Sequence, residues 1–162
     1  MENNLTKEKR PERKRIRLKG FDYASPRPYL ITICSHNKEP IFVNDNLNQL
    51  IIECLLAEKK NSGFKIFVYC LMPNHIHLLL SPYAQGISIS RFIGAFKSKT
   101  TRLAWDFGIY GKLWQERFHD RIVRKNEALK TTGQYILDNP VRKGLAQKWQ
   151  DYKYLGLIDS WL

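Results

Sequence analysis

The sequence predicts an α+β fold: an antiparallel sheet with helices on one face and an added C-terminal helix that bears Tyr135. Three patterns carry that prediction. Short β-branched or apolar runs fall at 29–34, 64–71, 75–81 and 118–124. Apolar residues at helical spacing fill 44–60, 88–107 and 126–138. Pro73-Asn74 makes a tight connection from the second strand run into the third, so those two form a hairpin.

Each element has a local cause. Tyr29-Leu30-Ile31-Thr32-Ile33-Cys34 follows Pro26 and Pro28 and is rich in residues that suit a pleated surface. From Asn44 to Lys60, Leu47, Leu50, Ile51, Cys54, Leu55 and Leu56 lie on one helical face; Asn44 or Asp45 can cap its start, and Asn61-Ser62-Gly63 ends it. Phe64 to Leu71 and His75 to Ser81 are the hairpin strands. Ser88 to Phe107 places Phe92, Phe96, Leu103 and Trp105 among its apolar residues and Arg91, Lys97, Lys99 and Arg102 on another face, before Gly108 and Gly111 break it. Phe118 to Arg124 is a fourth strand. Asn126 to Asp138 is a third helix, ended at Asn139-Pro140 because a residue before proline avoids the helical region. The aromatic tail from Trp149 to Leu162 is expected to pack on the body. The order β-α-β-β-α-β-α, two β-α-β units about a hairpin, is that of a ferredoxin-like (RRM-like) sheet. Its face opposite the helices is expected to be open to a substrate.

Composition narrows the function. The chain has 162 residues, 43% hydrophobic and 26% charged, which is the balance of one globular domain. Its 27 Lys and Arg against 15 Asp and Glu give a net charge of +12, and its pI is about 9.7. That charge points to nucleic acid. An anionic membrane is the competing partner, but no long basic amphipathic helix stands out, and no apolar run is long enough to span a bilayer. Cys34, Cys54 and Cys70 are odd in number, lack metal spacing and sit in apolar surroundings, as free thiols do in a reducing compartment. With no apolar segment of signal-peptide type, a cytoplasmic, nucleoid-associated protein is expected.

The chemistry concentrates at Asn74-His75-Ile76-His77. Residues two apart on a strand share a face, so His75 and His77 present two imidazoles while Ile76 and Leu78 turn into the core. The bland alternative is a pair of partly exposed histidines on an edge strand. His36 and His119 stand alone in the sequence. Tyr135 and Asn139, four apart, lie on one face if that segment is a helix. Two imidazoles and an amide oxygen suit Mg²⁺ or Mn²⁺ better than a closed zinc site. A tyrosine beside such a cation can attack a phosphodiester and exchange it for another, keeping the bond energy without ATP; no phosphate-binding G-x-x-x-x-G-K-[ST] loop is present.

Asn74-His75-Ile76-His77 with Leu78-Leu79-Leu80 resembles the HUH motif (histidine, bulky apolar, histidine) of single-tyrosine HUH transposases. Trp114-Gln115-Glu116-Arg117-Phe118-His119-Asp120 and the run from Tyr135 to Leu145 resemble further signatures of the REP-associated tyrosine transposase branch. The resemblance extends from about Arg17 to Leu145 and keeps the family's order and spacing. It implies a single-stranded DNA endonuclease and strand transferase acting on hairpin-forming ends. By that resemblance His75 and His77 are metal ligands, Asn139 is the third ligand, and Tyr135 is the nucleophile of a 5′-phosphotyrosine intermediate that releases a 3′-hydroxyl. Some relatives carry an acidic residue where this chain has Asn74. Relatives work as monomers or homodimers, and neither small-molecule cofactor nor membrane is implied.

The division expected is a basic arm at 1–20, the transposase-like domain at 21–145 and a packed extension at 146–162. DNA contacts are expected from Arg10, Arg13, Lys14, Arg15 and Arg17 on the arm and from Lys97, Lys99, Arg102, Arg121, Arg124, Arg142 and Lys143 on the domain. Two alternatives stay open: a domesticated hairpin-binding regulator without catalysis, and a metal phosphodiesterase that activates water and does not need Tyr135.

Overall fold

A computed structural model describes residues 26–84, 88–124 and 126–160. The basic arm, with Arg10, Arg13, Lys14, Arg15 and Arg17, lies outside them. The described elements are β1 (Tyr29–Cys34), α1 (Asp45–Ser62), β2 (Phe64–Met72), β3 (His75–Pro82), α2 (Ile89–Trp105), β4 (His119–Ile122), α3 (Asn126–Leu137), α4 (Asn139–Arg142) and β5 (Leu155–Leu157), with single 3₁₀ turns at His36–Lys38 and Trp149–Asp151. They form a five-stranded sheet ordered β4-β1-β3-β2-β5. Every pairing is antiparallel. The first four strands have the ferredoxin-like order, and the alternation of elements is the one the sequence predicts.

Local chemistry explains the boundaries. The Asn44 side chain accepts from the backbone amides of Asn46 and Leu47 and so caps α1. Gly63 ends that helix with a φ of +70°, a conformation that disfavours any side chain. Pro73-Asn74 is the whole hairpin loop, since Met72 already faces His75 across the ladder. Ser88 caps α2 by accepting from the Arg91 amide.

Two apolar cores lie on opposite faces of the sheet. On one, Tyr29, Ile31 and Ile33 of β1 and Ile76, Leu78 and Leu80 of β3 meet Leu47, Ile51 and Leu55 of α1 and Phe92, Ile93 and Phe96 of α2. On the other, Phe67, Val68, Cys70 and Met72 of β2 and Leu79 of β3 meet Leu129, Ile136 and Leu137 of α3. A register shift between Ile66 and Val68 is the bulge that turns Cys70 and Met72 to the second face.

That second core corrects one expectation. The face opposite α1 and α2 is not open, because α3 covers part of it. The cause is β2: Phe67, Val68, Cys70 and Met72 are apolar and buried on the side away from α1 and α2, and such a strand needs cover on both faces. Two smaller departures follow from packing. Trp105, read as part of the apolar stripe of α2, is 46% exposed, while Thr100 and Ala104 are buried. Thr100 is needed inside because its hydroxyl accepts the indole N–H of Trp114 at 2.8 Å. The Asn139-Pro140 step ends α3 as expected, but α4 resumes immediately, with Pro140 in its first turn where no amide is needed.

The tail adds β5 to the free edge of β2. Tyr152 donates to the Leu71 carbonyl at 2.8 Å, and the Ile66 amide donates to the Asp159 carboxylate at 2.7 Å. The three cysteines are free thiols. No described helix is long and apolar enough to cross a membrane.

Ile136 is fully buried and fastens α3 to the sheet. Ile136→Ala is expected to destabilise the fold by about 2–5 kcal/mol, read as a lower urea midpoint, because it leaves a cavity under the helix that carries Tyr135.

Candidate active site

The site forms where the second sheet face meets α3. On β3, His75 and His77 point to that face because Ile76 and Leu78 point to the other. β3 is a central strand between β1 and β2, so the edge-strand alternative does not hold. His77 is 6% exposed and His75 half-buried. On α3, Leu129, Thr132, Ile136 and Leu137 are buried, which sets Tyr135 at the border of the buried stripe, 42% exposed. Its ring centroid is 5.9 Å from that of His77. The guanidinium of Arg142, brought back by α4, lies 4.4 Å from the centre of the Tyr135 ring.

The two imidazoles are held at their far nitrogens and converge at their near ones. His75 Nδ1 is 2.6 Å from the Asn74 amide oxygen, which only accepts, so Nδ1 carries the proton. His77 Nδ1 is 2.8 Å from the Thr32 hydroxyl, and the two Nε2 atoms are 3.1 Å apart. A hydroxyl can donate or accept. With Thr32 donating, His77 donates Nε2–H to His75; with the proton on Nδ1 and Thr32 accepting, both Nε2 lone pairs face one point.

These nitrogens fit a cation. Two ligands about 2.1 Å from one ion at a right angle stand about 3.0 Å apart, close to the separation observed, whereas tetrahedral ligation needs about 3.4 Å. Thr32 and Asn74 occupy the far nitrogens of the two rings, the place where metal-binding imidazoles in general have their outer partners. Among the described residues no group of three or more His, Cys, Asp or Glu could hold a metal. Asn139 is 4% exposed and lines the same cleft as His75, His77 and Tyr135. Its Nδ2 donates to the Tyr135 carbonyl at 3.3 Å, which leaves its amide oxygen to offer.

Both imidazoles are held neutral, as ligation requires. Burial lowers the pKa of His75, with Lys143 adding to it. Burial lowers that of His77 to about 3, helped by the neighbouring His75 and by Arg142.

Two clefts flank this centre and share Thr32, His77 and Tyr135. One, of about 480 Å³, runs to Leu30, Thr131, His119 and Arg121. The other, of about 520 Å³, runs to Cys34, Lys38, Pro40, Asn74, Asn139 and Lys143. Sequence reasoning missed Thr32, Lys38 and His119. Lys38 has a positive φ of 58° and its carbonyl accepts from Asn74 at 3.4 Å; nothing in its sequence context signals this. His119, isolated in sequence, faces Thr32 across the β1–β4 ladder.

Of the expected DNA contacts, the structure brings Arg121, Arg142 and Lys143 to the site, and Arg124 is exposed just beyond β4. Lys97, Lys99 and Arg102 lie on α2, across the sheet. Lys97 Nζ donates to the carbonyls of Gln115 and Glu116 at 2.6 and 3.0 Å. Lys99 pairs with Glu58 of α1, and Arg102 donates to the Ser98 hydroxyl at 3.3 Å.

A family model described as "Transposase IS200 like" matches residues 27–139, more than half of the chain and a span that holds both histidines, Tyr135 and Asn139. The chain belongs to this family. A Haemophilus influenzae protein described as a REP-associated tyrosine transposase is 24% identical to this IS200-like transposase over 143 residues, covering 82% of this chain and 81% of its own. The fold matches that of a REP-associated tyrosine transposase solved bound to a REP hairpin, with a TM-score of 0.73 and 18% identity over 83% of this chain and 79% of that one. A Deinococcus radiodurans transposase structure matches with a TM-score of 0.53 and 20% identity, over 74% of this chain and 94% of that one.

The lowered histidine pKa values set a pH dependence. Below the ordinary value of 6.5 the unfolded chain takes up protons that folded His77 refuses down to about 3, so stability falls as the pH drops through that window. Between pH 7 and pH 5 this transposase is expected to lose about 2 kcal/mol through His77. Urea titrations at the two pH values check it: the loss should shrink in His77→Gln, and an equal loss there would remove the assignment.

Proposed function

We propose that this transposase cleaves single-stranded DNA by attack of Tyr135 on a phosphodiester, and rejoins it by the reverse reaction. The observation that carries the reading is the convergence of Tyr135 on the His77 ring, at 5.9 Å, from a helix remote in sequence. A tyrosine that served only packing would turn its ring into the second core, as Ile136 does; Tyr135 instead stands at the mouth of both clefts.

In the reaction proposed, the Tyr135 oxygen loses its proton to solvent, which its exposed ring admits, and forms a bond to phosphorus. The bond from phosphorus to the 3′ oxygen breaks, and that oxygen takes up a proton. The 5′ strand end is then held as a phosphotyrosine ester, and a 3′-hydroxyl is free. Reversal joins that ester to a 3′-hydroxyl, so no nucleotide triphosphate is consumed. Arg142 steadies the Tyr135 ring through its face. A divalent cation, Mg²⁺ or Mn²⁺, held by His75, His77 and Asn139, would polarise the scissile phosphate and offset the charge that builds on it. Thr32 and Asn74 keep the two imidazoles turned toward one point.

The substrate proposed is a DNA strand with hairpins, in keeping with the REP hairpin bound by the solved relative. The net charge of +12 suits that partner, with Arg121, Arg142 and Lys143 nearest the reacting atoms.

Tyr135→Phe is expected to reduce cleavage to background while affinity for a hairpin oligonucleotide changes by less than about five-fold, since one hydrogen bond contributes about 1 kcal/mol. Cleavage that survives in Tyr135→Phe would point to activated water instead. His75→Ala and His77→Ala should each abolish cleavage in Mg²⁺ and Mn²⁺, as EDTA should in the wild type. Affinity should fall with salt, the logarithmic slope being about −0.7 per phosphate neutralised on a single strand; a flat dependence would remove the electrostatic account of binding.

A further inference from the structure

We propose that the cleft between α3 and the β4–β1 edge is a subsite for the nucleotide adjoining the scissile phosphate, with the His119 imidazole against its base and the Arg121 guanidinium on its phosphate. The proposal rests on Tyr135 being the nucleophile and single-stranded DNA the substrate.

Register places these side chains together. Thr32 on β1 lies directly opposite His77 of β3 on one side and His119 of β4 on the other. Direct cross-strand partners share a face, so His119, Thr32 and His77 form one row on the face that carries Tyr135. One row further, Leu30 lies opposite Arg121. The outer two members of the histidine row are two strand spacings apart, about 10 Å, with Thr32 between them lining the cleft.

The chemistry of the cleft suits that occupant. Its floor holds the apolar Leu30, its inner wall Tyr135, and its outer rim His119 and Arg121, both exposed. At about 480 Å³ it is the size of a small-molecule site. Its outer side is β4, an edge strand, so a single strand can enter sideways. Asp120 reaches the rim, but its cross-strand partner Ile31 is in the core beneath α1 and α2, so its carboxylate belongs to the other face. Histidine rings stack on unpaired bases as other aromatic side chains do, and guanidinium groups take phosphates.

The test is an abasic scan read by binding. Fluorescent hairpin oligonucleotides from the DNA flanking the coding sequence, each with one abasic position in the single-stranded part, are titrated with the Tyr135→Phe protein, which leaves the strand intact. One position should cost about ten-fold in affinity, the range of a lost base stack. Adding His119→Ala should erase that position's penalty and leave the others; His119→Phe, which keeps a stacking face, should restore it. Arg121→Ala should keep the penalty and flatten the salt dependence by about one phosphate. A penalty that persists undiminished in His119→Ala, or the absence of any sensitive position, overturns the subsite. Because binding is the readout, the two readings fail separately. Wild-type strand transfer with no His119 coupling removes the subsite alone, and coupling without strand transfer removes the nucleophile alone.

Discussion

The alternation of side chains along β3 is the constraint on which the rest of the molecule depends. A strand with one buried face could discard its other residues to solvent. β3 is central and covered on both sides, so it must satisfy two environments at once. Ile76, Leu78 and Leu80 fill the core beneath α1 and α2, while His75, His77 and Leu79 take the opposite face, where Leu79 joins the core under α3. A slip of one residue would exchange imidazoles for isoleucine and leucine in both places. The two-residue Pro73-Asn74 loop, the pairing with β1 and the bulge in β2 all fix the register that prevents it.

The same alternation shapes the candidate site. Burial on a rigid strand holds the imidazoles neutral, and partners on neighbouring segments, Thr32 and Asn74, aim them. The second core then serves as the dock for α3. Because Leu129, Ile136 and Leu137 need the apolar surface of β2, Tyr135 is delivered over His77 by the force that closes the fold. Folding and assembly of the site are one process here. The loops between elements contribute less than the sheet does, apart from the Lys38 and Asn74 corner.

Legibility in the sequence followed the range of the forces involved. β1, α1 with its Asn44 cap and Gly63 end, and the hairpin were all readable, since each is decided within a few residues. The His pair and the Tyr135–Asn139 spacing were readable for the same reason. What escaped reading was decided at a distance. β5 has three residues and no strand signature; it exists because β2 offers a free edge. The cover over the second face depends on which side α3 chooses, and only the apolar excess of β2 hints at that. Trp105 looked like core by spacing, yet Trp114 claims Thr100 inside and leaves Trp105 at the surface. His119 looked isolated because its cross-strand partner, Thr32, and His77 beyond it come from other strands.

The central claim is that Tyr135 itself becomes joined to DNA. Purified full-length protein incubated with a hairpin-bearing single strand and Mn²⁺, run on a denaturing gel and digested for mass spectrometry, tests it most directly. The account predicts a metal-dependent protein–DNA band whose modified peptide carries a nucleotide phosphate on Tyr135, absent with EDTA. Cut DNA with no adduct, or an adduct mapped to any other residue, would contradict it.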